Sequence, residues 1–173
     1  MNPNNLKMAD DAYRSTEFSL SIEERIKAYY RAVTADASFA GFDVHPISLC
    51  TLSSISPTTQ SATWTFKVPP SLCNKDGNLH GGAASTIFDN LSSTALFTIG
   101  RPGFWNNLGV TRFLAVSYFR PIPEGTEVVL ECEVVSAGKR MAQVRGTMRN
   151  REGKVCASCL HEKVQASTPS STL

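Results

Sequence analysis

The sequence has little net charge and no long apolar run, and these two absences narrow what it can encode. Its 173 residues carry a formal net charge of only +2, which is too small to make nucleic acid the expected main partner. The apolar stretches are interrupted by Ser and Thr, so none is long and clean enough to span a membrane. We therefore expect neither a nucleic-acid nor a membrane partner.

Targeting features are also scarce. The first twenty residues lack the basic region and apolar run of a secretory signal. They contain Asp10, Asp11 and Glu17, which argues against a mitochondrial transit peptide because such peptides are poor in acidic residues. Residues 171–173, Ser-Thr-Leu, resemble a peroxisomal address only loosely, since the middle position is not basic. We expect a cytoplasmic protein, with mitochondrial and peroxisomal locations left open.

Cysteine occurs in an odd number, which argues against a framework of disulfides. The five cysteines and the missing signal predict free thiols in a reducing compartment. Cys156 and Cys159 have the spacing of a zinc-ligand pair. Their flanks predict a strand, however, and positions three apart on a strand point to opposite faces. With no second pair at zinc spacing, we expect buried cysteines and no bound metal.

The length fits one domain with a hydrophobic core. Residues 1–18 are polar and aperiodic and predict a flexible arm, while residues 166–173 are rich in Ser, Thr and Pro and predict a disordered tail. Residues 19–165 are expected to form the single domain. It begins with an amphipathic helix over about residues 21–36, which Ser21 opens with the sequence of a capping box.

Alternating apolar and polar residues predict six strands, two before and four after a long central helix. They are expected over residues 46–55, 60–68, 110–119, 126–136, 139–149 and 154–164. Short turns rich in Gly, Asn and Lys separate the last three, which favours an antiparallel meander. The order of elements predicts an α+β fold with an antiparallel sheet wrapped around one helix.

The stretch from Leu79 to Gly100 predicts that central helix. Apolar residues recur in it at three- and four-residue steps, and its opposite side carries serines rather than Lys or Glu. Asp89 is the only ionised residue within it. A lone carboxylate in a helix built for burial is costly unless the protein uses or pairs it. Asp89 is therefore the first candidate for chemistry.

Two glycines at the start of this helix predict a site for a substrate oxygen. Gly81 and Gly82 follow His80, and residues without a Cβ let a substrate approach the backbone N–H groups. Free N–H groups and the helix dipole suit a developing oxyanion. The N–H of Gly81 is thus a candidate for polarising a carbonyl, and a tight helix start without such a role is the plainer alternative.

A set of spaced residues around these glycines resembles the hotdog-fold thioesterases. Within that family the sequence is most similar to the branch of phenylacetate-pathway (PaaI-type) and mammalian thioesterase-superfamily-member enzymes, which is related to the 4-hydroxybenzoyl-CoA thioesterases. The resemblance covers about residues 45–165 and leaves out the N-terminal helix. It is carried by Asn74-x5-His80-Gly81-Gly82-x6-Asp89-Asn90, Gly109-Val110-Thr111 and Tyr118-x2-Pro121.

The resemblance implies a hotdog fold and hydrolysis of an acyl-CoA to a free acid and CoA, with no metal or redox cofactor. It implies the carbonyl-polarising role for Gly81, and Asp89 is then a general base on water or a nucleophile that attacks the carbonyl. Both alternatives stay open, as does a purely structural Asp89. Asn74 and Thr111 match positions that hold the attacking water or the thioester in the family.

Other polar residues receive smaller roles. His80 and Gly82 are expected to contact the substrate, with His80 orienting its loop rather than acting as a base. His45 and His161 are expected to be bystanders. Phe113 stands where many relatives have an acidic residue, so the surroundings of the acyl group are expected to differ.

The spacing of Gly81 and Asp89 predicts an oligomer. Eight residues separate them, which is about 12 Å along one helix. A thioester cannot lie within about 3 Å of both groups on that helix. We therefore expect a homodimer with sites at its interface, or a dimer of dimers, as the resemblance also implies.

Two other functions remain as alternatives. One is a non-catalytic acyl-CoA-binding or regulatory hotdog module, which the presence of Asp89 together with Gly81 disfavours. The other is a hotdog hydratase or dehydratase, which needs a carboxylate–His pair near the helix start, and no Asp-x4-His pattern is present. Acyl chain length, and the choice between aryl and alkyl groups, are left open.

Overall fold

The computed structural model describes residues 17–35 and 40–165. The predicted tail at 166–173 lies outside the described residues, and so does the predicted arm at 1–18 except for its last two residues. Within the described part of the chain, no helix has the length and apolar character needed to cross a membrane.

The N-terminal helix forms as the sequence predicts. Helix α1 spans Ile22–Thr34 and begins with a capping box. The Ser21 side chain accepts from the backbone N–H of Glu24, and the Glu24 carboxylate accepts from the N–H of Ser21 at 2.8 Å. These reciprocal bonds satisfy two N–H groups that the first turn would otherwise leave open. The apolar face of α1 is buried in the core.

The predicted first strand over 46–55 is wrong at its beginning. Residues Val44–Ser48 form a short helix, α2, and the strand starts only at Thr51. Pro46 lies in the first turn of α2, where its missing N–H has no intrahelical partner to lose and its fixed φ suits the helix. The local sequence is apolar enough for a strand, but the proline favours the turn of helix.

Six strands form one antiparallel sheet in the described residues, in the order β1-β2-β4-β5-β6-β3. The strands β4, β5 and β6 make the predicted meander. Strand β3 departs from it, because β3 pairs with β6 and not with β4, which puts β3 at the edge of the sheet. The strands are β1 Thr51–Ser56, β2 Ser61–Lys67, β3 Val110–Tyr118, β4 Glu127–Ala137, β5 Met141–Arg149 and β6 Val155–Val164.

The central helix lies against the inner face of this sheet. Helix α3 spans Gly81–Thr94, and a 3-10 turn, Ala95–Thr98, continues it, so the predicted helix is confirmed in shortened form. Phe88 is fully buried and packs on the bare backbone of Gly146 in β5. A Cβ at Gly146 would lie 2.8 Å from the Phe88 ring, closer than side chains approach each other.

The cysteines are free thiols, as expected from their number. All five lack a disulfide partner, and every one except Cys73 is buried. Burial raises the pKa of Cys50 and of Cys159 to about 12, which keeps both thiols protonated at neutral pH.

Candidate active site

The helix start is held by the ring of His80. His80 precedes the first turn of α3, and its Nδ1 accepts the backbone N–H of Gly82 at 2.9 Å. An accepting Nδ1 places the ring proton on Nε2 when the imidazole is neutral. A Cβ at Gly82 would lie 3.1 Å from that Nδ1, so glycine is what lets the ring come this close. The geometry agrees with the orienting role expected for His80.

The peptide group between Gly81 and Gly82 is fixed at both ends. His80 Nδ1 accepts the N–H of Gly82. The hydroxyl of Tyr118 donates to the carbonyl oxygen of Gly81 at 2.8 Å. The Ser85 hydroxyl lies 2.8 Å from the same Tyr118 oxygen and donates to it, because the one phenolic proton is already in use. Among the described residues no acceptor takes the N–H of Gly81. This N–H is therefore available to donate to a ligand.

A cavity of about 400 Å³ opens beside the helix start, and Gly81, Asn74 and Ile122 are among its lining residues. The side-chain Oδ1 of Asn74 accepts the backbone N–H groups of Asp76 and Asn78, at 3.0 and 3.1 Å. Its carbonyl oxygen is thus committed to the loop, and only its NH₂ group remains, which can only donate. Asn74 is both a turn residue and part of the cavity wall.

A second polar cluster lies farther along α3. Thr111 on β3 donates its hydroxyl to Asp89 Oδ1 at 2.7 Å. His161 and Lys163 reach the same Thr111 oxygen from β6, with Nε2 at 3.0 Å and Nζ at 3.3 Å. Asp89 has a side chain that is 41% exposed, whereas that of His161 is fully buried. The pairing of β3 with β6, which sets Thr111 opposite Lys163, brings these groups together.

His161, expected from the sequence to be a bystander, lies within this cluster. Besides Thr111, it contacts Ser92, whose Oγ lies 2.6 Å from Nδ1. Burial lowers the pKa of His161 to about 4, with the Lys163 charge adding to this and Asp89 opposing it. The imidazole is therefore neutral at pH 7, and its 3.4 Å approach to Asp89 Oδ1 is not an ion pair. His45, in contrast, bonds Ser71 at the surface.

Because His161 is neutral, the donor and the acceptor of each hydrogen bond from Ser92 to Asp89 can be assigned. The Thr111 proton goes to Asp89, so its oxygen accepts from His161 Nε2–H, and Nδ1 must then accept from Ser92. The chain of donors runs from Ser92 through His161 and Thr111 to the carboxylate. Sequence reasoning missed His161 and Lys163, although ionisable residues at alternate, inward positions of a strand are a usable signal.

Within one chain the structure forms two half-sites and keeps them apart. One, at the helix start, offers only donors, the N–H of Gly81 and the amide of Asn74. The other, eight residues or about 12 Å along the same helix, offers a carboxylate oriented by a hydroxyl. Donors suit the oxygen of a polarised carbonyl, and a carboxylate suits proton transfer or attack. A reaction that needs both groups needs two copies of the chain.

The family model of the thioesterase superfamily matches residues 76–157, a range that includes Gly81, Asp89 and Thr111 but not Asn74, His161 or Lys163. Acyl-coenzyme A thioesterase 13 of Mus musculus is 31% identical over 126 residues, which cover 71% of this chain and 84% of that protein. The crystal structure of thioesterase superfamily member 2 from Mus musculus superposes with a TM-score of 0.69 at 26% identity, covering 85% of this chain and 99% of the other.

A more distant likeness concerns the fold alone. The PaaI protein from the phenylacetic acid degradation operon of E. coli superposes with a TM-score of 0.60 at 17% identity. The match covers 71% of this chain and 95% of that one.

Proposed function

The chain belongs to the thioesterase superfamily, and from that premise we propose that it hydrolyses an acyl-CoA thioester to a free acid and CoA. Asp89 is the base or nucleophile, and the N–H of Gly81 polarises the carbonyl. The family and the hotdog fold implied by the sequence motif are confirmed. The acyl-CoA class of substrate is supported by the name of the mouse relative, acyl-coenzyme A thioesterase 13.

The observation that carries this proposal is the hydrogen bond from Thr111 to Asp89 at 2.7 Å. This bond engages Oδ1 and holds the carboxylate in one orientation, while no described side chain bonds Oδ2. As a base, Asp89 takes a proton from water as the water oxygen attacks the carbonyl carbon. As a nucleophile, it forms an anhydride and expels the CoA thiolate, and water then cleaves the anhydride. The structure supports both routes equally.

The thioester oxygen is assigned to the half-site at the start of α3, which offers hydrogen-bond donors. In the tetrahedral intermediate this oxygen carries a negative charge, which the N–H of Gly81 and the amide of Asn74 stabilise by donation. His80 and Gly82 serve the substrate by fixing the first turn of α3, and we assign them to its binding surface. When the intermediate collapses, the C–S bond breaks and the sulfur leaves as the thiolate of CoA.

Because the two half-sites lie apart on one helix, the proposal includes a homodimer with two shared sites, alone or as half of a tetramer. Strand β3 is the candidate interface, since it lies at the edge of the sheet and exposes Val110 and Phe113 by 55% and 52%. Exposed apolar edge strands favour pairing with a second chain. Phe113 then lies near the interface.

The alternatives are less well supported. A binding module would not need the ordered donors that end at Asp89. A hydratase needs a histidine that is free to exchange protons, but both ring nitrogens of His161 are engaged, by Ser92 and Thr111. We also propose, from the sequence, that residues 19–165 form one domain and that the protein is cytoplasmic.

A hydrolysis screen tests the proposed function. The purified full chain is mixed with short, medium, long and aromatic acyl-CoAs, and thiol release is followed for it and for Asp89→Asn. We expect wild-type hydrolysis of at least one class of thioester and almost none by the variant. Tight acyl-CoA binding without hydrolysis above the variant's rate would instead identify a binding module.

A further inference from the structure

Lys163 is a buried ammonium group with no assigned role. The residue is only 5% exposed and lies on the inner face of β6. Lysine is rarely buried to this degree unless it is paired. Its Nζ lies 3.3 Å from Thr111 Oγ1, and Thr111 is the residue directly opposite it in the β3–β6 register.

The surroundings of Lys163 point to the carboxylate of Asp89 as the negative charge that stabilises its ammonium group. Glu162 alternates to the outer face, where it lies 3.6 Å from Arg112. On β5 the register sets Ala142 opposite Lys163, and on β6 itself His161 is neutral and Cys159 is a protonated thiol. From α3 the titratable group that faces it is Asp89, whose charge favours the protonated lysine while burial opposes it.

The proton on Lys163 decides what the Thr111 hydroxyl can do. A hydroxyl donates one hydrogen bond and accepts two, and in this cluster it donates to Asp89 and accepts from His161 and Lys163. A protonated lysine can only donate, so the Thr111 proton stays on Asp89. A neutral amine keeps two N–H donors but gains a lone pair, so it competes with the carboxylate for that same proton.

We propose that Lys163 is a positioning residue of the hydrolysis, whose ammonium keeps the Thr111 hydroxyl on Asp89, so that the carboxylate is oriented only while Lys163 is protonated. This inference rests on the proposed function. It concerns how one group of that site is held, and Lys163 itself need not touch the substrate.

A pH dependence follows with a definite sign. Burial lowers the pKa of Lys163 to about 8, against the opposing effect of Asp89. The competent, protonated form is therefore lost as the pH rises through about 8. Since the oriented carboxylate acts in the reaction and not in binding, kcat should fall while KM changes little.

The experiment compares pH profiles of kcat and KM for wild type, Lys163→Arg and Lys163→Met. Thioester absorbance is followed between about pH 6 and pH 10, with the uncatalysed rate subtracted. Wild type should lose activity above about pH 8. Lys163→Arg should keep activity without this fall, because a guanidinium stays protonated. Lys163→Met removes a donor that fixes the Thr111 oxygen, so its kcat at pH 7 should be lower by about tenfold. Its profile should be flat, because no amine lone pair remains to compete for the Thr111 proton.

The control is Lys154→Met, which removes an exposed lysine that pairs with Glu152 at 2.7 Å, and its profile should match wild type. Thermal melting establishes that each variant is folded, and if Lys163→Met does not fold, wild type and Lys163→Arg decide. A wild-type profile without the fall, or the same fall in Lys163→Arg, overturns the inference while hydrolysis itself stands. A wild type inactive on every thioester overturns the proposed function, and this inference with it.

Discussion

Thr111 Oγ1 lies 2.7 Å from Asp89 Oδ1, although 22 residues separate them in the sequence. A helix and an edge strand are thereby tied at the carboxylate proposed to carry out the reaction. The bond belongs to a longer series of donors that starts at the buried Ser92. Several measurements can therefore separate the contribution of each group.

Asp89→Asn is expected to lower hydrolysis by about a hundredfold or more, since it keeps the shape of the side chain and removes its basicity. The rate of thioester cleavage at saturating substrate gives the comparison. Asp43→Asn is the matched control, because Asp43 precedes α2 without making a side-chain cap bond. Activity of Asp89→Asn within a few-fold of wild type would remove this carboxylate from the mechanism.

Thr111→Val should lower kcat by about tenfold or more, because the carboxylate loses the donor that orients it. The change also leaves His161 and Lys163 without their acceptor, which should reduce the free energy of unfolding by about 1–3 kcal/mol. Thr111→Ser retains the hydroxyl and should stay near wild type in both kcat and urea denaturation. A loss in Thr111→Ser with none in Thr111→Val would show that the methyl group, and not the hydroxyl, matters.

The stability of the protein should fall as the pH drops from about 6.5 to about 4, the range between the ordinary and the folded pKa of His161. In that window the unfolded chain binds the proton and the folded chain does not, so acid favours unfolding, by on the order of 3 kcal/mol. Melting temperatures across this range should show the slope for wild type and for His45→Gln. In His161→Gln the slope should be clearly smaller, and an unchanged slope would refute the assignment.

Mixed dimers should recover activity that neither parent has. Asp89→Ala lacks the carboxylate, and Gly81→Pro lacks the donor N–H. If sites are shared, a heterodimer contains one complete site and one that lacks both groups. Statistical pairing makes half of the co-expressed dimers mixed, so activity should approach roughly a quarter of wild type. Folded heterodimers as inactive as their parents would contradict a site built from two chains.

Local sequence patterns predicted most of the helices and strands, and they singled out candidate residues for the site. The capping box at Ser21 predicted α1, and the lone carboxylate and paired glycines of α3 led to Asp89 and Gly81. Local patterns could not predict that His161 lies near Asp89. Its contact with Thr111, 50 residues away in the sequence, exists only if β3 pairs with β6. Alternation shows which face of a strand is buried, but not which strand lies beside it. The start of β1 was misjudged since short apolar runs suit helix and strand alike.

The contact between Phe88 and Gly146 constrains how this sequence can diverge. Phe88 immediately precedes Asp89. The packing of the Phe88 ring on the backbone of Gly146 in β5 therefore also sets how α3 is rotated about the helix axis. A lineage that acquires a side chain at position 146 must make room at Cys159, whose Sγ would lie 2.8 Å from the new Cβ, and must also reduce the volume at position 88 or turn the helix. Turning the helix moves Asp89 away from Thr111. Selection for activity is thus expected to preserve a glycine that never meets the substrate, and to make substitutions at 88 and 146 occur together.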